Sequence, residues 1–207
     1  MDLSTPRRRL LAALGAVAAL LSGAACDNAD EPKSPPLDVG LTVAVTRESG
    51  DLRIEYTLVN RTGVEVVAFT GIPARDTHEN PVPDPNAAYV TARDDGTVEI
   101  AKRVFAPPEG VGLAVDFVVR GTVLAPQASV GEVVRIPLPL TARHPYDTAA
   151  RLPESAKRAV FCVGVAKRDA VAPVPAASGD TDPRPIYAHR ASVANNQHLA
   201  CGEPFAL

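Results

Sequence analysis

The chain has 207 residues, with 21 Lys and Arg against 24 Asp and Glu and a formal net charge of −3. A mildly acidic chain with no basic cluster beyond Arg9 lacks the phosphate-neutralising surface that a nucleic-acid partner requires. Five Phe, four Tyr and no Trp leave little material for the stacking platforms that hold bases or sugars.

The first segment is Arg7-Arg8-Arg9, followed by an uncharged, Leu- and Ala-rich stretch from Leu10 to Ala25, with the small residues Ser22-Gly23-Ala24-Ala25 leading into Cys26. This is the layout of a secretory signal. Sixteen residues at a helical rise span about 24 Å, short of the ~30 Å hydrocarbon core, so a cleaved signal is favoured over a retained transmembrane helix. The end of the stretch resembles the bacterial lipobox, in which a small residue precedes a lipid-accepting cysteine. Here Gly23 stands where that pattern has leucine. The resemblance implies a signal peptide over 1–25, acylation (palmitate among the chains) at Cys26, and a lipid anchor in the cell membrane with the protein facing the periplasm or exterior. Cleavage by ordinary signal peptidase after Ala25, giving a secreted protein, is the alternative. The triple arginine also resembles a twin-arginine signal, so the export route stays open. Residues 26–37, with the run DNADEPKSPP, are polar, proline-bearing and without apolar periodicity, as a flexible tether should be. Removing the signal removes three arginines and one aspartate, which makes the remaining chain more acidic.

From residue 38 to 207 strand signals recur at short intervals. Leu41, Val43 and Val45 alternate with Thr42, Ala44 and Thr46. In Leu52–Leu58 the apolar Leu52, Ile54, Tyr56 and Leu58 alternate with polar partners, which predicts a half-buried strand. Ser49-Gly50-Asp51 is read as the hairpin turn between these two. Asn60-Arg61-Thr62-Gly63 is a turn into a third strand over 64–69. Its glycosylation sequon is explained more simply by turn chemistry. Residues 71–87 read as a long proline-rich loop. Strands over 89–93 and 97–105 flank Asp94-Asp95-Gly96, a pair suited to positive φ. Strands follow over 113–123 and 132–140. Pro137 and Pro139 remove donors from one side of the latter, which predicts a sheet edge. Residues 153–157 could form a turn or two of helix. Val160–Ala166 reads as a central strand, 169–185 as a mobile loop, and 186–200 as one long or bent final strand.

Eight or nine short strands with polar turns predict an all-β fold, an antiparallel β-sandwich. The segment around the Asn60 turn, together with Val123-Leu124-Ala125-Pro126 before Val133-Val134-Arg135-Ile136-Pro137, resembles immunoglobulin-like accessory domains of bacterial envelope proteins over roughly 38–140. That resemblance implies an immunoglobulin-like sandwich, without the tryptophan and early cysteine pair of antibody domains.

Of the three cysteines, Cys162 and Cys201 remain once Cys26 is assigned to lipid, and an oxidising exterior favours joining them. His78, His144, His189 and His198 fall in no zinc-binding spacing and are expected in turns or on the surface. Asp76, His78, Glu79 and Asp84 share a loop, and Asp180 and Asp182 another, but neither spacing matches a calcium loop. No catalytic set, metal or cofactor is expected. Tyr56 is expected in the core, Tyr146 and Tyr187 beside loops as binding-surface candidates, and the pairs Lys102-Arg103, Lys157-Arg158 and Lys167-Arg168 at solvated strand ends. The expectation is a non-enzymatic binding or interaction domain whose partner is an envelope protein or a small ligand, with a membrane contact through the lipid. A structural, assembly or protease-inhibitor-like module is the alternative, ahead of a hydrolase.

Overall fold

The computed structural model describes residues 36–75, 82–110, 116–176 and 178–207. The expectations for 1–35, including lipidation at Cys26, lie outside these residues, as do those for Asp76, His78 and Glu79.

The described chain is nearly all β, in two sheets. The first holds β1 (Val39–Glu48), β2 (Asp51–Asn60) and β7 (Ser129–Pro137) in the order β1-β2-β7. β1 and β2 join through a two-residue turn, with Ser49 and Gly50 at φ 45° and 97° and Glu48 opposite Asp51. Positive φ at both turn positions matches the right-handed twist of the flanking strands. Along β2 the predicted alternation holds: Leu52, Ile54, Tyr56 and Leu58 are buried and their neighbours are not. β7 lies at the sheet edge, as its prolines predict. The Leu138 N–H turns inward to the Gly50 carbonyl (2.7 Å), whereas the Arg135 N–H turns outward and donates to Asn86 Oδ1 (3.1 Å). Pro137 and Pro139 share the parity of Arg135, so the donors they lack would have pointed away from β2.

The second sheet contains β3 (Val66–Gly71), β4 (Tyr89–Ala92), β5 (Val98–Lys102), β6 (Val118–Leu124), β8 (Arg158–Lys167), β9 (Ile186–Ala188), β10 (Gln197–Cys201) and β11 (Phe205–Ala206). Its path runs β4-β5-β8-β3-β6-β9, with β10 and β11 also on β8. The registers show how β8 serves so many neighbours. β5 pairs with 159–163 and β3 with 165–167, while β10 pairs with 162–166 and so overlaps both. A strand has two edges, so β5 and β3 lie in tandem along one edge of β8 and β10 with β11 along the other. Ala159–Ala166 are all buried, which accounts for their unbroken run of small and apolar residues.

Three expectations are corrected. The sandwich is not wholly antiparallel, because β5 and β8 run parallel from Val98↔Ala159 to Lys102↔Val163. The intervening chain passes through β6 and β7, far more than the dozen residues a parallel connection needs. The final segment is not one strand: β9 and β10 are separated by α1 (Ala191–Ala194), whose Val193 and Ala194 are buried. Residues 153–157 make a turn, with Ala156 N–H donating to the Pro153 carbonyl (3.1 Å), and no helix.

The principal core lies between the sheets, where Ile54, Tyr56, Leu58 and Val134 meet Val66, Ile100, Phe161, Val163 and Val165. The Tyr56 and Phe161 rings are 4.9 Å apart. A second core covers the opposite face of the larger sheet, where Val67, Phe69, Tyr89, Phe105, Val119 and Tyr187 pack with Val193 of α1. Asn60 is buried, and its amide donates to the Val64 and Leu124 carbonyls (2.8 and 3.0 Å). That is the turn role expected of it, and it leaves the amide nitrogen closed to a glycan.

Candidate functional site

Cys162 and Cys201 are joined by a disulfide, directly opposite one another on β8 and β10. The Arg93 guanidinium lies over the bridge, with Nη2 at 3.2 Å from Cys162 Sγ, 3.4 Å from Cys201 Sγ and 2.6 Å from Glu99 Oε2. The other Glu99 oxygen accepts from Arg103 Nη1 at 3.0 Å. Glu99 and Arg103 are buried. A buried carboxylate with each oxygen on a guanidinium is held as a structural charge, since burying it unpaired would be prohibitive.

A second constellation joins the two sheets. Lys102, on β5, is fully buried, and its Nζ donates to Glu132 Oε2 (2.6 Å) on β7 and to the Thr70 and Pro85 carbonyls (3.2 Å each). Tyr56 OH on β2 donates to the same Glu132 oxygen at 2.6 Å. Burial lowers the Lys102 pKa, and the neighbouring Glu132 opposes that shift. Burial also raises the Tyr56 pKa, and the Glu132 charge adds to the rise. All three lysine protons have acceptors and the side chain is closed to solvent, so Lys102 is a tie between sheets and not a nucleophile. The expectation of a solvated Lys102-Arg103 pair is corrected on both residues.

The third constellation ties down the end of the 169–185 loop. Arg120, on β6, is buried. It donates to the Asp180 carboxylate and to the Asp182 and Arg184 carbonyls (3.2 and 2.9 Å). Asp182 also carries Arg184, with Nη2 to Oδ2 at 2.7 Å. The Arg184 hydrogen bonds pull the Asp182 pKa down to about 2. The two aspartates are thus consumed by arginines. Among the described residues no group of three or more His, Cys, Asp or Glu side chains is arranged to hold a metal ion.

The fourth is an aromatic and histidine cluster on the second core. His189 is fully buried, which corrects the expectation of a surface or turn histidine. Its Nδ1 accepts from the Phe105 N–H and its Nε2 faces Tyr89 OH, both at 3.4 Å. Burial drives its pKa down to about 3, helped by His144 and Arg103. His144 stacks edge-on against Phe105 at 4.5 Å, and its Nδ1 accepts the Tyr146 and Asp147 N–H groups (3.2 and 3.0 Å). Tyr146 is half-buried, with its hydroxyl on the His189 carbonyl at 3.0 Å. Phe117, His144 and Tyr146 form the half-exposed rim of the cluster. Tyr187, expected beside Tyr146 as a binding-surface residue, is fully buried instead. His198 is half-buried, and burial lowers its pKa.

The sequence held an unused signal for the inter-sheet tie. Period two places Lys102 on the face of Val98 and Ile100, and Glu132 on the face of Val134 and Ile136. His189 offered none, because β9 is three residues long and shows no period. No protein-family model, curated protein or solved structure matches this chain.

Proposed function

We propose that this is an exported envelope protein, tethered to the cell membrane through lipid on Cys26, whose β-domain is a non-enzymatic interaction module. One observation carries the reading: the Cys162–Cys201 bridge uses two of the three cysteines, leaving Cys26 at the end of the signal-like stretch. A disulfide also fits an oxidising compartment. The non-enzymatic part is supported by the spent state of Glu99, Lys102 and Asp182, which are each satisfied by partners inside the fold. An immunoglobulin-like reading of the sandwich is supported by a three-stranded antiparallel sheet facing a larger one, with the chain crossing between them at β2–β3, β6–β7 and β7–β8. The parallel β5–β8 pair makes it a variant. A structural or assembly role is the second reading, and the open edge of β1 favours it.

Cell fractionation tests the anchor. The wild-type protein is expected in the membrane fraction and Cys26→Ala in the soluble fraction. An unchanged membrane fraction for the variant overturns the reading.

A further inference from the structure

The three-stranded sheet ends differently on its two sides. β7 is closed by Pro137, Pro139 and the Asn86 contact to Arg135. β1 contains no proline, and its charged residues, Arg47 and Glu48, lie at its far end. The two-residue turn makes Glu48 and Asp51 a hydrogen-bonded pair, so the even-numbered residues of β1 direct their backbone groups to β2. Those of Leu41, Val43 and Val45 therefore point outward, and among the described residues no strand pairs with them. The same three side chains are only half-buried.

The exposed face of β1 has a charge order. Thr42, Ala44 and Thr46 in the middle are small and neutral. At the start, the exposed Arg61 guanidinium lies flat over Gly40, its Nη2 standing 2.6 Å from where a Cβ would be. Arg61 makes no ion pair among the described residues. At the far end of the same face stands Glu48, 43% exposed and in contact with Arg53 and Arg135. On that face Arg61 stands at one end and the Glu48 carboxylate, shared with Arg53 and Arg135, at the other, with neutral residues between; Arg47 belongs to the opposite face.

We propose that β1 is a self-pairing edge: two copies of this chain align β1 antiparallel about a two-fold axis at Ala44, making one continuous sheet. An antiparallel pair reverses one strand against the other. In this register Thr42 faces Thr46, and Gly40 with its Arg61 faces Glu48, once at each end by symmetry. A shift that moves Asp38 opposite Glu48 would set like charges together. The pairing also sets Val43 beside Val45 and Leu41 beside Arg47 on the other face, and satisfies the outward backbone groups. It does not depend on the lipid anchor.

Cysteine cross-linking of the full-length protein tests it, with the unsubstituted chain, which retains Cys26, as control. Directly opposed residues of a non-hydrogen-bonded pair have Cα atoms about 4.5 Å apart, within disulfide reach. Ala44→Cys is expected to give a covalent dimer, with peptide mapping locating the link at position 44. Thr42→Cys and Thr46→Cys should each fail alone and cross-link when mixed. Ala44→Lys, which sets two like charges at the axis, should turn a sedimenting dimer into a monomer with an unchanged near-UV circular dichroism spectrum. Four results would overturn the proposal: a wild-type monomer at high micromolar concentration, equal cross-linking at all three positions, an Ala44→Lys dimer, or linkage of position 44 to a different polypeptide.

Discussion

Tyr187 has a polar tip in an apolar place. Its ring meets Phe69 edge-on at 5.5 Å, and it occupies the space a Cβ on Gly121 would need, 2.7 Å from that position. Its hydroxyl is buried and has no hydrogen-bond partner among the described residues. Burial accordingly raises its pKa. An unsatisfied buried hydroxyl costs about 1–3 kcal/mol, so Tyr187→Phe should raise stability by about 1 kcal/mol, read as a higher urea midpoint with an unchanged slope. A lower midpoint would show that the hydroxyl is bonded. Tyr56 makes the contrast. Its place in the core could be read from Leu52, Ile54 and Leu58, because seven residues of alternation fix a face. Tyr187 sits in a three-residue strand between irregular segments, where the sequence carries no face to read.

Among elements, the tie from Lys102 to Glu132 fastens β5 of one sheet to β7 of the other. Removing one partner of a buried pair leaves the other charge uncompensated, at about 3–5 kcal/mol. Glu132 keeps some solvent, its side chain being 22% exposed, so Lys102→Met should fall near the lower bound. Adding Glu132→Gln should restore part of the loss. Equal stability of the single and double variants in urea melts would contradict the pairing. Charge predicts a solvated strand end for Lys102, whereas period two sets it in phase with Val98 and Ile100, as it sets Glu132 in phase with Val134 and Ile136. The edge position of β7 was legible because proline acts locally on its own N–H. The parallel β5–β8 pair was not legible, since strand direction across a long connection depends on the route of the whole chain. The histidine cluster was hidden for the same reason: Tyr89, Phe105, His144 and His189 meet only after folding.

For the molecule as a whole, His189 sets a response to acid. Its pKa is about 3 when folded, against an ordinary 6.5. The folded state therefore excludes a proton that the unfolded state accepts. The stabilisation is fully present above pH 6.5 and is lost as pH falls toward 3, by up to about 1.4 kcal/mol per unit. Asp182, depressed to about 2, adds a further loss only below the ordinary carboxylate range. Urea midpoints should thus drop between pH 7 and pH 5. A flat profile over that interval would exclude a neutral buried His189. The two-edged pairing of β8 bears on the order in which the sheet can form. Its partners come from 66–68 and 98–102 on one edge and from 197–206 on the other. A chain emerging from its N-terminus makes β3 and β5 long before the strand they share exists, and β8 in turn waits for residues 197–206. The central strand of the larger sheet is therefore made after two of the strands it joins. The smaller sheet and the β4–β5 and β3–β6 pairs can form first, but the larger sheet stays open at its centre until β8 has been made.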